Sequence, residues 1–451
     1  MEVNKVTARS VRRGKAFVLA SAVILASLLT RADAKEKVIH SFTGTDGAQP
    51  IGELIADSSG NFYGVAQTNG TTSGPCPATG SCGTVFKLSK TKAGGWQTKV
   101  LHTFDCGKDG CDPLGGLTLD ASGNLYGTTY LGGSLTTAKN KGVVYQLAQT
   151  AGGKWKYKIL YSFLGLPDGQ HPRSKLVVDA TGNLYGTTES GGTFTAGTVF
   201  ELSPGASGTW LETVLDDFAI GSGGALPNAG VVLDKSGNLY GTTVSGGHTG
   251  GHCGSLGCGV VYELTPSTLG PWIETVLHSF SGADGDSPYA GVKFDAAGNL
   301  FGATYTGGDL SGCGGNGCGV LYELTPNAGG GSWSETILHS FHPGGSGFAG
   351  PGGGNPYSAP TLDAAGNLYG AAAAGGHAPA YSGVVFKLSP SAGGGWKETV
   401  LHTFSASTDG GEPLSGVTLD AAGDVFGTAY LGGILTDCFG NGCGVVYEIT
   451  P

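Results

Sequence analysis

Beyond its first 34 residues this chain has no apolar run of the roughly 20 residues that a membrane-crossing helix needs, so a later span is not expected. Methionine occurs once, and charged residues make up 13% of the 451 positions, against about 25% in ordinary domains. Basic clusters are missing too. Six of the 24 Lys and Arg and two of the 34 Asp and Glu lie in residues 1–34, which leaves 18 against 32 and a net charge near −14. A protein that grips phosphates needs Lys and Arg gathered on one surface, so nucleic acid is excluded as a partner. No Gly-x-Ser-x-Gly elbow, His-Glu-x-x-His pair or phosphate loop is present, and catalysis finds little support.

Glycine and repetition are what the chain has in quantity. With 86 glycines and weak helical periodicity, the composition suits short strands joined by tight turns. Seven times the chain spells Asp-x-x-Gly-Asn or a near copy, at Asp57, Asp120, Asp179, Asp234, Asp295, Asp363 and Asp420, with successive spacings of 63, 59, 55, 61, 68 and 57 residues. One supersecondary unit is therefore built seven times, too regularly for chance and too variably for a tightly wound solenoid.

The leading segment stands apart from the repeats. Lys5, Arg9, Arg12, Arg13 and Lys15 precede an apolar run from Ala16 to Leu29, and Ala32-Asp33-Ala34 supplies a small-x-small cleavage pattern. Residues 1–34 are expected to be a signal peptide, and residues 35–451 one domain released into the periplasm or medium and acting as a monomer. The cysteines agree with that compartment. All ten fall into close pairs, Cys76/Cys82, Cys106/Cys111, Cys253/Cys258, Cys313/Cys318 and Cys438/Cys443, which in an exported chain read as disulfides pinning loops.

Within one unit four strands are legible. Gly116–Asp120 alternates apolar and polar residues, a hairpin turn leads into Asn124–Thr129, and Gly142–Leu147 and Trp155–Phe163 follow after Gly-rich loops. Seven four-stranded units make a seven-bladed β-propeller of antiparallel blades. The tryptophans support closure. Trp96, Trp155, Trp210, Trp272, Trp333 and Trp396 each open a fourth strand, and the seventh unit stops after its third, Gly444–Ile449. Residues 36–42 read as the second half of a fourth strand, so the N-terminal strand is expected to pair with the last blade and remove two exposed edges.

The unit His-Ser-Phe, Asp-Gly-x-x-Pro, Leu-x-x-Asp-x-x-Gly-Asn-Leu-Tyr-Gly-Thr-Thr, Gly-Gly, Gly-Val-Val-Tyr-Glu-Leu-Thr-Pro resembles the gloeo/verruco (GloVer) tandem repeat of exported bacterial proteins, over residues 38–451. The resemblance implies an extracellular or envelope propeller-like protein of uncharacterised function, often with a C-terminal sorting anchor. This chain ends on a strand without an apolar tail, so release rather than anchoring is expected.

With the first strand innermost, the fourth-to-first and second-to-third loops share one face, and all five cysteine pairs fall there. Unequal, stapled loops on a rigid scaffold make that face the expected working surface. The hairpin Asp57 set reads as turn formers whose carboxylates accept backbone N–H groups, with calcium ligation as the rival. A second acidic set, Asp46, Asp109, Asp168, Asp284 and Asp409, precedes Gly and then Pro in the working-face loops and is a candidate for turns or for cation and hydroxyl binding. No cofactor is required, though calcium is compatible with it; other metals stay open.

His40, His102, His278, His339 and His402 occupy one strand position, where Tyr161 and Asp216 stand in other units, and read as structural hydrogen-bonders. Ligands from different blades are not expected to converge on them. Tyr130, Tyr305 and Tyr430, at a loop base, are candidates for stacking on sugars. These residues favour a non-catalytic protein binding a carbohydrate or envelope polymer. The alternative is a lyase or lactone hydrolase at the channel mouth, with Asp168 and His171, beside Arg173 and Lys175, as acid, base and anion contacts.

Overall fold

The computed structural model describes residues 34–68, 82–133, 140–267, 271–328, 331–342, 350–376 and 382–451. Within them the polypeptide forms seven four-stranded antiparallel sheets, each ordered first, second, third and fourth strand from the centre outward, with no helix beyond single 3-10 turns. The expected seven-bladed propeller is therefore what the repeats build. Blade 1 comprises Ala48–Ala56, Phe62–Thr68, Thr84–Lys90 and Trp96–Thr103. Blades 2 to 6 occupy residues 118–162, 177–217, 232–279, 293–340 and 361–403 in turn. The innermost strands of these blades are only two residues long, as at Thr118–Leu119 and Lys293–Phe294.

Blade 7 is completed across the chain ends. Lys35–Ser41 pairs antiparallel with Val445–Thr450, from Lys35 opposite Thr450 to Ser41 opposite Val445. Thus the strand that the last unit lacks comes from the other terminus, as its missing tryptophan predicted.

A pairing inside each blade explains the invariable Gly of Leu-Tyr-Gly. The second strand sets Gly64, Gly127, Gly186, Gly241, Gly302, Gly370 and Gly427 directly opposite Phe86, Tyr145, Phe200, Tyr262, Tyr322, Phe386 and Tyr447 of the third. A Cβ on Gly302 would stand 2.3 Å from the Tyr322 hydroxyl, so the ring occupies the space that any other residue would claim. These aromatics are fully buried, and seven hydrophobic clusters, each drawing on two adjacent blades, make the core. Apolar side chains leave water on both faces of the sheets, which is why the later strands read as nearly continuous hydrophobic runs.

The hairpins at the Asp57 set are held as turns. In blade 1, Asp57 Oδ1 accepts from the Ser59 and Asn61 amides at 2.9 and 3.0 Å, and Oδ2 accepts from Asn61 Nδ2 at 2.7 Å and the Tyr63 hydroxyl at 3.0 Å. Similar contacts hold Asp120, Asp179, Asp234 and Asp363. Their lone pairs are engaged within the turn.

Candidate functional site

Three disulfides, Cys253–Cys258, Cys313–Cys318 and Cys438–Cys443, close second-to-third loops on the face that also carries the fourth-to-first loops. Cys82 is also disulfide-bonded, and its expected partner Cys76 lies outside the described residues. The fifth pair differs from expectation. Cys106 and Cys111 stand side by side as hydrogen-bonded thiols without a bridge. Their loop is already pinned, because Asp109 Oδ1 accepts the Asp105 amide at 3.0 Å and Cys111 pairs with Leu131 through both backbone bonds. The Cys106 contact and burial hold the Cys111 thiol far above its usual range.

The acidic set of these loops is spread around the rim, one residue to a blade, and is not brought together. Asp46, Asp109, Asp284 and Asp409 each meet the histidine of the preceding outer strand, at His40 2.9 Å, His102 3.0 Å, His278 3.2 Å and His402 3.4 Å. Asp168 instead accepts the Tyr161 hydroxyl at 2.8 Å and the Leu164 amide at 2.9 Å. The histidines thus find carboxylate partners, and a bulge shifts the register just before each of them; His278 and His339 thereby lie near Glu335 and Glu398 of the neighbouring blade.

Ligand atoms from different blades do converge there, contrary to expectation. The fourth strand of the next blade sends Glu335 to His278 and Asp284, and one ligand atom from each lies within 4.8 Å of the others, close enough to share one divalent cation. His278 and Glu335 both sit on the outermost strands of their blades, Ile273–Ser279 and Trp333–Ser340, and adjacent blades pack face to face, so those outer edges are neighbours. Glu36, Glu212, Glu274 and Glu398 occupy the equivalent strand position, and each of the five has a shielded oxygen without a hydrogen-bond partner. Burial pushes all five carboxyls up to about 7.

At the centre, a cavity of about 380 Å³ runs along the innermost strands. Its mouth is built from a repeated oddity. The residue before the Pro that recurs at or just ahead of each first strand, Gln49, Asp112, His171, Leu226, Ser287, Asn355 or Glu412, has φ between 51° and 60°. Left-handed backbone is costly for residues other than glycine, and here it recurs seven times with seven different side chains. Backbone bonds hold it. The Asn355 amide donates to Cys318 O of the preceding blade at 2.7 Å, and its carbonyl accepts from Ala373 N of its own. The conformation is common to every blade, whereas the chemistry presented to the channel is not.

Two sectors of the mouth result. In blades 2 and 3, Arg173 lies 3.5 Å from Glu189, Tyr130 stacks on His171 with centroids 4.6 Å apart, and Asp112 is drawn into the same field. Burial depresses His171 below its usual range and raises Tyr130 to about 12. In blades 5 and 6, Tyr289 stacks on Tyr357 at 5.1 Å, and Tyr305 meets both edge-on at 5.5 and 5.2 Å. Tyr430 reaches across to Gln67, its hydroxyl 3.2 Å from Oε1. Of the expected tyrosines, Tyr305 joins an aromatic cluster; Tyr289 and Tyr357 were missed because they lie in the irregular loops ahead of the first strands Lys293–Phe294 and Thr361–Leu362, where no periodicity marks them.

Asp168 and His171 do not form an acid–base pair. The former turns to Tyr161 at the rim, the latter to Ser190 Oγ at 3.1 Å and the Tyr130 ring near the channel.

Deeper in the channel, Glu53 of blade 1 stands between two ammonium groups, Lys293 Nζ at 2.7 Å and Lys175 Nζ at 3.6 Å. Burial alone would raise the Glu53 carboxyl, yet Lys293 and Lys175 together hold it below its ordinary value. Glu53 and Lys293 escaped sequence reasoning. The available signal for Glu53 was the third residue after the seven aligned prolines, which is small in five units and charged in two, Glu53 and Lys175; Lys293 lies two positions further on in its own unit and carried no such mark.

A seven-bladed propeller with a symmetric scaffold and an asymmetric channel mouth is the class that these features define. The chain belongs to the Gloeobacter/Verrucomicrobia repeat family, whose model matches residues 27–253, 136–349 and 249–451. Among solved structures, one titled as a protein of unknown function from Dyadobacter fermentans DSM 18053 is 11% identical, with a TM-score of 0.37 over 93% of this chain and 98% of that one. No curated protein matches the chain.

Proposed function

We propose that the chain is an exported, non-catalytic repeat protein that binds a carbohydrate or cell-envelope polymer at the channel mouth, on the face bearing the stapled loops. Residues 1–34 act as the export signal in this reading, and the three disulfides suit the oxidising compartment it leads to. The observation that carries the proposal is the half-buried cluster of Tyr289, Tyr305 and Tyr357 beside the cavity. Rings that are apolar on their faces and polar at their tips suit the alternating CH and OH surfaces of sugars. Asp112, Glu189 and Arg173 opposite them supply hydrogen-bond partners for hydroxyls.

The test is a titration of the exported chain against a panel of neutral and cell-wall oligosaccharides by calorimetry. Saturable binding that weakens about tenfold or more in Tyr357→Ala, with the melting temperature little changed, supports the reading. Absence of binding across the panel, or binding indifferent to Tyr289→Ala and Tyr357→Ala, refutes it.

A further inference from the structure

Below the mouth, the sevenfold repeat is broken at a single level of the channel. The third residue after the conserved-position proline is Gly116, Gly230, Gly291, Ala359 or Gly416 in five blades, but Glu53 in blade 1 and Lys175 in blade 3. Lys293, two positions further along its own first strand, adds a second ammonium from blade 5. Small residues on the remaining walls leave the space beside these charges open. Backbone geometry does not demand glycine at all of them: Gly416 lacks a left-handed φ, and a Cβ there would meet only ordinary contacts, at 3.4 Å from Ser358 Oγ and 3.5 Å from Glu53.

The three charges do not cancel. Two ammonium groups face one carboxylate, so the level carries one net positive charge in a chain that is strongly acidic overall. An ammonium has three donors. Lys293 directs two of them to Glu53 and to Thr361 Oγ1 at 2.9 Å, and Thr361 in turn donates to Val417 O of the next blade at 2.6 Å. Lys175 meets Glu53 at 3.6 Å, its side chain 41% exposed to the channel, and so keeps donors for another acceptor. The walls of such a channel focus the field of that charge along its axis.

We infer that this level binds one singly charged oxyanion, a carboxylate or a sulfate monoester, carried at the end of an otherwise neutral glycan whose sugars lie on the tyrosines above. The inference rests on the glycan-binding reading and names the acidic group that this site takes. Entry is restricted by charge: Asp112 and Glu412 lie near Tyr430 at the mouth, and Glu189 there is paired with Arg173, so a densely charged polyanion is repelled where a single terminal charge is not.

The experiment compares each neutral oligosaccharide of the panel with the same sugar oxidised at its reducing end to an aldonate, and with a counterpart bearing one terminal sulfate. Titration of the exported chain is expected to show at least one charged form binding tenfold or more tighter than its neutral parent, with the preference shrinking as salt rises. The preference should vanish in Lys175→Met and persist in Lys175→Arg. Lys293→Met provides the second probe if the first variant does not fold, and melting curves establish which variants are folded. Equal binding of charged and neutral forms overturns the inference and leaves the glycan reading standing. A preference unaffected in both folded lysine variants overturns the placement in the channel. Tighter binding of a polyuronate than of the singly charged form overturns the end-on arrangement, and no binding by any form refutes both readings.

Discussion

Tyr322 stands directly opposite Gly302 in blade 5, its hydroxyl in the space that a side chain on Gly302 would need and without a hydrogen-bond partner. Tyr145, Tyr262 and Tyr447 repeat the arrangement, while blades 1, 3 and 6 place Phe86, Phe200 and Phe386 there. A buried hydroxyl without a partner costs about 1–3 kcal/mol. Tyr322→Phe is therefore expected to leave stability unchanged or raise it by about 1 kcal/mol, whereas Gly302→Ala should lower it by about 1–3 kcal/mol or more through overpacking. Denaturant unfolding of both variants checks the pair, and a clear loss in Tyr322→Phe would reveal a partner for the hydroxyl.

Acidity should stabilise the ring over a defined window. Glu36, Glu212, Glu274, Glu335 and Glu398 titrate near 7 when folded, against 4.5 ordinarily, because burial disfavours their charged forms. The folded state then holds more protons between those values, so the contribution is complete below about pH 4.5 and is lost as pH rises through 7. His339, lowered to about 4, and His402 and His171, also lowered by burial, act oppositely, losing their contribution as pH falls below 6.5. Five carboxyls against three imidazoles predict a higher melting temperature at pH 6 than at pH 8. Glu335→Gln, which mimics the protonated acid, should raise the melting temperature at pH 8 by a few degrees and narrow that gap. A gap unchanged in the variant would mean Glu335 is ionised throughout.

Reduction should act locally. The bridges Cys253–Cys258, Cys313–Cys318 and Cys438–Cys443 each span a sequence separation of 5, for which chain entropy gives roughly 2 kcal/mol apiece. Limited proteolysis of reduced protein should cut within those loops before any strand. First cuts in the blades would show that the staples hold the sheets themselves.

Removal of residues 35–41 should expose the edge of Val445–Thr450. An unpaired edge invites association. The shortened chain is expected to unfold with a broader transition and to self-associate in light scattering; a monomer with an unchanged transition would show that the clasp is dispensable.

The architecture was legible because its evidence is periodic. Seven aspartate turns counted the blades, and the one absent tryptophan located the seam between residues 36–42 and 444–449. The hairpin aspartates behave as short polar side chains do in turns. What escaped was whatever depended on closure. Glu53 and Lys293 are 240 residues apart and meet only across the channel, and the two-residue strand Lys293–Phe294 carries no periodicity to mark the lysine. The convergence of Glu335 on His278 was missed for another reason: a bulge shifts the register just before the histidine, so simple alternation points it the wrong way. Likewise the Cys106 and Cys111 spacing matched its neighbours, but Asp109 and Leu131 already secure that loop.

The pairing of Lys35–Ser41 with Val445–Thr450 has a bearing on biogenesis. Lys35–Ser41 leaves the ribosome long before its partner Val445–Thr450, so the circle stays unfinished until the strands of the seventh blade have been made. Until that moment, six sheets can form in sequence from their own residues while Lys35–Ser41 remains the unpaired fourth strand of the seventh.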